Sequence, residues 1–163
     1  MPFVLYPDLP KDGVPRATNN GETETEFLEP LRSRAQESMV ILNRPKWRPN
    51  TQVCHEATAY AKEKGLESQF IHAAAEAYWV RNENLSEMAT IARLADYCGL
   101  NGAELLQLLE SGLYSNLILR QSAEARGIGV FGTPTYGIGD ELIFGDLNYD
   151  TLKTTLKKAR IIP

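Results

Sequence analysis

The sequence predicts an α/β domain in which a long helical block is carried between two β-forming ends. Two observations point there. From about Asn50 to Ala125 apolar side chains recur at spacings of three and four, whereas Phe3–Tyr6 and Thr133–Phe144 are short β-prone runs bounded by proline, glycine and aspartate. Phe3 to Tyr6 predicts one strand, stopped by a rigid loop through Pro7, Pro10, Gly13 and Pro15. Residues 17–26 are polar and acidic without periodicity, which predicts an exposed connection. Composition turns helical from about Pro30 to Ser38, and Met39–Leu42 then reads as an extended buried segment ahead of the breakers Pro45 and Pro49.

The helical block opens where Asn50 can cap a helix running through Val53, Ala57, Tyr60 and Ala61 to Gly65. A second helix carries Phe70, Ala73, Ala74, Ala77 and Tyr78. A third starts at a Ser86 cap and runs through Met88, Ile91, Ala92 and Ala95 toward Gly99. Asn101 with Glu104 forms a variant capping box that opens a fourth, and a fifth spans about Leu113 to Ala125, ended by Gly127 and Gly129. Gly139-Asp140 suits a tight turn between Thr133–Ile138 and Glu141–Phe144, so these residues predict a β-hairpin. In the last helix Leu152 and Leu156 are expected to face inward, while Lys153, Lys157, Lys158 and Arg160 crowd the final turns as the helix dipole favours.

With 163 residues, 43% hydrophobic and 23% charged, the chain has material for one ordinary domain with a core, which excludes fibrous and largely disordered classes. Net charge is −4 with Lys and Arg scattered, so there is no electrostatic footprint for nucleic acid. Cys54 and Cys98 are too few for a disulfide framework, which makes a reducing, cytoplasmic compartment the expectation. No run reaches membrane-span length, and the opening residues lack the basic and long apolar regions of a signal peptide. His72 stands among alanines, and no Cys or carboxylate lies at ligand spacing, so no metal is expected.

Gly129-Val130-Phe131-Gly132-Thr133-Pro134-Thr135-Tyr136, followed by Ile143-Phe144-Gly145-Asp146, resembles the C-terminal motif of DsbA-like thioredoxin-fold proteins. Pro2 to Gly13, Pro49-Asn50-Thr51, His55-Glu56-Ala57 and Tyr60 to Gly65 are similar to the branch containing FrnE-type oxidoreductases and 2-hydroxychromene-2-carboxylate isomerases. This resemblance spans nearly the whole chain. It implies an α/β thioredoxin-like fold of DsbA type, with residues 1–45 and 128–163 forming the thioredoxin-like part and 46–127 a helical insertion. It implies a cis Thr133-Pro134 bond, with Thr133 and Pro134 docking an extended peptide or small thiol through backbone groups left open at a sheet margin. By the same resemblance Asn50 lies near the ligand cleft, although a helix N-cap explains it fully. Tyr78, Trp79 and Arg81 match the family's helical block and are read as structural.

The family's redox Cys-X-X-Cys, or the serine of its isomerases, is absent. The chain is expected to begin where the family's second strand begins, truncated by the first β-α unit. Two backbone edges and an apolar face are then expected to be open; the two flanking strands can close on each other, or a second copy or a partner can supply a strand, and the expectation is a homodimer or a strand-donating partner. No catalytic residue carries over. Cys54 is the candidate for residual thiol chemistry, since it follows the Asn50 cap where the helix dipole favours a thiolate, with His55 beside it; the alternative is a buried inert thiol. Trp47, among Arg44, Lys46 and Arg48, is either the wall of a cleft for an acidic or aromatic ligand or a packing anchor. Glutathione as a cofactor stays open, with Asp146 placed to accept from an ammonium group, but the arginine of the glutathione-binding triplet is missing. The resulting expectation is a thiol–disulfide oxidoreductase-like protein with impaired or partner-dependent activity. The alternatives are a non-catalytic binding or assembly module that keeps the groove, and a glutathione-linked isomerase.

Overall fold

Alanine and leucine at spacings of three and four give each central helix one apolar face, and burying those faces against one another decides the architecture. The computed structural model describes residues 2–18, 23 and 29–161. In chain order its elements are β1 (Val14–Pro15), α1 (Glu29–Glu37), β2 (Trp47–Arg48), α2 (Gln52–Glu63), α3 (Glu67–Trp79), α4 (Met88–Tyr97), α5 (Gly102–Ser111), α6 (Ser115–Gly127), β3 (Thr135–Ile138), β4 (Glu141–Phe144) and α7 (Tyr149–Lys158). Helix α2 is the hub, packing against α3, α4, α5 and α6. The fully buried Tyr60, Phe70, Ile91, Leu94, Leu105 and Ile118 all belong to these five helices. At roughly 1.5–3 kcal/mol for each large side chain removed from water, this cluster is the main store of apolar stabilisation.

Backbone groups at the helix starts are satisfied where the sequence places polar residues. Asn101 Oδ1 accepts the Glu104 N–H at 2.9 Å, and Asp96 Oδ1 accepts the Gly102 N–H at 2.8 Å. Gly102 is required by the approach of α4, because a Cβ there would lie 2.5 Å from the Ala92 carbonyl oxygen. Asn148 caps α7 by accepting the Thr151 N–H at 2.8 Å.

The β structure among the described residues is two antiparallel two-stranded ladders. One pairs Val14 with Arg48 and Pro15 with Trp47; the other is the hairpin, in register from Thr135 opposite Phe144 to Ile138 opposite Glu141. Gly13, at φ +75°, lets the first ladder close on the segment behind it, since a Cβ would meet the Arg48 carbonyl oxygen at 2.5 Å. Lys158 Nζ reaches Glu141 Oε1 at 2.5 Å, tying α7 to the hairpin.

Four expectations change. Phe3–Tyr6 forms no strand: Val4 is buried, but its N–H donates to Ser122 Oγ at 3.1 Å and its carbonyl accepts from Arg126 at 2.6 Å, so α6 side chains take the place of a neighbouring strand. Met39–Leu42 is not buried: Met39, at φ 53°, is 92% exposed, and Val40 and Ile41 are exposed as well, because no described element packs over them. Ser86 does not cap α4; its hydroxyl accepts the Asn50 N–H at 2.8 Å instead. Leu152 and Leu156 are only half-buried, and α7 contributes no buried residue. Within the expected exposed connection, residues 17, 18 and 23 are exposed, and 19–22 and 24–26 lie outside the described residues.

Candidate functional site

The β-turn-rich segment before α2 meets the helical block at Asn50. Asn50 is buried, and three of its polar groups have partners: the N–H on Ser86, Nδ2 donating to the Leu9 carbonyl at 2.9 Å, and Oδ1 accepting the Gln52 N–H at 3.1 Å. The N-cap position of α2 is Thr51, which makes no side-chain cap bond, so Asn50, one residue ahead of it, is not the cap; its Oδ1 takes the first N–H of the helix and the residue pins two loops to the helix start. Asn50→Ala is expected to lower stability by about 1–3 kcal/mol, because the Leu9 carbonyl and the Gln52 N–H lose their side-chain partner, and chemical denaturation at fixed pH measures it.

In the first turn of α2, Cys54 is buried, and burial pushes its thiol up to about 12. The helix-dipole preference for a thiolate is outweighed, because removing a charge from water costs far more than a first-turn dipole returns. His55 is held below the ordinary imidazole value, chiefly by burial, against an opposing hydrogen bond to the Phe3 carbonyl; its Nε2 lies 3.3 Å from Thr51 Oγ1. Neutral imidazole beside a neutral thiol gives no ion pair.

Cys54 and Thr133 open onto the same cavity of about 990 Å³, walled by α2, by Ile71 and Ala74 of α3, by Leu117 and Gln121 of α6, and by Pro2 and Phe3. Thr133 precedes a cis peptide bond to Pro134. The Pro134 carbonyl accepts the Gly145 N–H at 2.9 Å and Thr135 Oγ1 donates to the Gly132 carbonyl at 2.6 Å, whereas the Thr133 N–H and C=O find no partner among the described residues. The structure therefore brings together two of the sequence-predicted positions, Thr133 and Cys54. Asn50 sits at the other end of the α2 start, engaged structurally, and does not line the cavity.

Trp47 is an anchor: its Nε1 donates to the Asp12 carbonyl at 2.6 Å and its own carbonyl accepts from the Tyr78 hydroxyl at 3.1 Å. It also borders a smaller cleft of about 450 Å³ with Lys46, Glu83 and Arg93. Asp146 is bonded by Arg34, so its carboxylate already has a cation. Both cysteines are free thiols, and among the described residues no three His, Cys, Asp or Glu side chains stand where they could share a metal ion. Sequence reasoning missed Gln121, Ser122 and Arg126. The last two lie one turn apart on α6 and grip Val4, and the Arg126 guanidinium stacks 4.7 Å from the centre of the Phe3 ring. Their spacing of four on a helix with mixed faces was the available signal.

Among the described residues no helix is long and apolar enough to cross a membrane. The Bacillus subtilis protein YwbO, itself described as uncharacterised, is 24% identical over 161 residues, covering 96% of this chain and 78% of that one. A probable DsbA oxidoreductase from Streptomyces coelicolor superposes with a TM-score of 0.79 at 19% identity, over 97% of this chain and 73% of its own length. This chain thus spans about three quarters of each. The superposition shows a shared α/β thioredoxin-like fold with a helical insertion. Residues 1–157 match the DSBA-like thioredoxin domain, and on that match, which takes in both the Thr133 margin and the helices walling its cavity, the chain belongs to the DSBA-like thioredoxin domain family.

Proposed function

We propose that this protein is a thiol–disulfide oxidoreductase-like member of the family, of the FrnE-type branch, that docks its substrate at the Thr133–Pro134 margin and depends on a thiol supplied by a partner. The observation that carries this reading is the pairing of an open Thr133 backbone with a Cys54 thiol that burial keeps protonated on the same cavity. Free N–H and C=O groups on one residue can pair with an extended polypeptide as a strand does. The nucleophile must be a thiolate. A partner thiolate attacks one sulfur of the substrate disulfide, a mixed disulfide forms, and the other sulfur leaves as thiolate; a second thiol of that partner, or a small dithiol, then supplies the electrons that release the product. Both cysteines being unpaired fits work in a reducing, cytoplasmic setting.

In insulin reduction by dithiothreitol, the chain alone is expected to add nothing to the background rate, and Cys54→Ala is expected to change nothing. A rate enhancement that Cys54→Ala abolishes would overturn the supplied-thiol reading. Titration with an extended peptide carrying one cysteine is expected to shift the Thr133 amide resonance selectively, and a Thr133 amide that does not respond removes the docking site.

A second reading, an assembly module, rests on the hairpin. Among the described residues β3 and β4 pair only with each other, and Phe131, Tyr136, Phe144 and Tyr149 are exposed on and around them. Open strand edges beside exposed aromatics favour a homodimer or a strand-donating partner. Light scattering is expected to report a dimer that dithiothreitol does not dissociate; a monomer at micromolar concentration removes this reading.

A further inference from the structure

The geometry points to the cavity between α2, α3 and α6 as a binding site for a small organic molecule that is uncharged, largely apolar and equipped with one hydrogen-bond donor. This rests on the preceding reading only in taking the cavity as a place where a ligand docks, and it requires no thiol chemistry. At about 990 Å³ the space is at the upper end of the range of small-molecule pockets and far exceeds one amino-acid side chain. Its wall is predominantly apolar, with Ala59, Ile71, Ala74, Leu117 and Phe3 offering hydrocarbon surface.

The charges select against an anion. The cavity's one lining cation among the described residues, Lys62, is outnumbered by two carboxylates, Glu63 and Glu67, so the charged part of the lining is negative on balance. A carboxylate or sulfonate inside would meet that net negative lining with one lysine against two carboxylates, and burying a poorly compensated charge is expensive. Glutathione, with its two carboxylates, is a poor occupant on the same ground. A cation fares little better against the apolar wall, where burial already holds His55 and Cys54 in their neutral forms.

The donor requirement comes from Gln121. Its Oε1 is buried without a hydrogen-bond partner among the described residues, on the α6 residue that lines the cavity. An unmet buried acceptor on a side chain that lines the cavity is a cost that a ligand hydroxyl or amide can remove.

Three probes separate these terms: 2-naphthol, uncharged at neutral pH with one hydroxyl; naphthalene, with no donor; and naphthalene-2-sulfonate, an anion. Equilibrium dialysis against the full chain is expected to show saturable one-to-one binding of 2-naphthol, with the sulfonate weaker by at least about tenfold, and naphthalene weaker by about tenfold. Gln121→Leu is expected to bring 2-naphthol down to the level of naphthalene. Ile71→Trp, at an exposed position on the wall where a larger side chain leaves the helical core intact, is expected to weaken 2-naphthol binding by at least about threefold while helical circular dichroism stays unchanged. Sulfonate binding as tightly as 2-naphthol, insensitivity to Ile71→Trp, or no saturable binding would each overturn the inference. The Thr133 amide shift with the cysteine peptide is read separately. A chain that keeps that shift but ignores 2-naphthol loses only this site, and one that binds 2-naphthol without the shift loses only the docking margin.

Discussion

Phe70→Ala is expected to destabilise the native state by about 3–5 kcal/mol, which is a large share of the whole for a domain of this size. Phe70 is fully buried on α3, where the helix packs against α2 and α4, and its ring fills space that neighbouring alanines cannot reach. Removing it forfeits the transfer of the ring from water and leaves a cavity lined by rigid helices that relax only in part. The control is Phe144→Ala on the hairpin: Phe144 is 53% exposed, so the same chemical change there is expected to cost under about 1 kcal/mol. Urea unfolding checks both, with the midpoint shifting at Phe70 and the slope unchanged. Equal losses at the two sites would mean that the hairpin carries as much of the packing energy as the helical block.

That contrast also marks what the amino-acid sequence discloses and what it does not. Helices α2 to α6 were legible because their apolar residues repeat with helical spacing, and a repeat of that kind has one way to bury itself. The hairpin was legible from Gly139-Asp140 between two β-prone runs. Burial of the short apolar runs was not legible. Met39-Val40-Ile41 and Phe3-Val4-Leu5 look alike in composition, yet the first is exposed and the second is held by Ser122 and Arg126, more than a hundred residues away. Nothing local encodes which distant element covers a run. The same limit applies at the site. Resemblance located Thr133, and a cap preference located Asn50, but only the packing of α2, α3 and α6 around Cys54 decides whether its thiol ionises, and only the position of Phe3 puts His55 under a carbonyl. Gln121 carried no signal, since a glutamine on a mixed helix face reads as solvent-exposed until its neighbours are known.

Alkaline pH is expected to unfold this protein through Cys54. In the unfolded chain the thiol titrates near 9.0, and in the folded chain at about 12. Below pH 9 both states carry the proton and the thiol contributes no pH dependence. Between 9 and 12 the unfolded state releases its proton while the folded state keeps it, so unfolding gains and stability falls as pH rises. Each unit of displacement is worth about 1.4 kcal/mol, which over this window amounts to about 4 kcal/mol. Tyr114 acts in the same direction, because burial first, and then its hydrogen bond to Glu63, raises its hydroxyl from 10.0 to about 12. His55 acts on the other side: burial lowers it, the unfolded imidazole takes up a proton first, and stability falls as pH drops below about 6.5. The stability maximum is therefore expected between those limits. Urea midpoints measured from pH 7 to pH 11 test this, and Cys54→Ala is expected to flatten much of the alkaline slope while leaving the acid limb in place. The outcome bears on function as well as stability. A slope that Cys54→Ala leaves untouched would mean that the native thiol ionises as readily as the unfolded one. A thiolate would then be available on the cavity wall beside Thr133, and the chain would need no partner to supply its nucleophile.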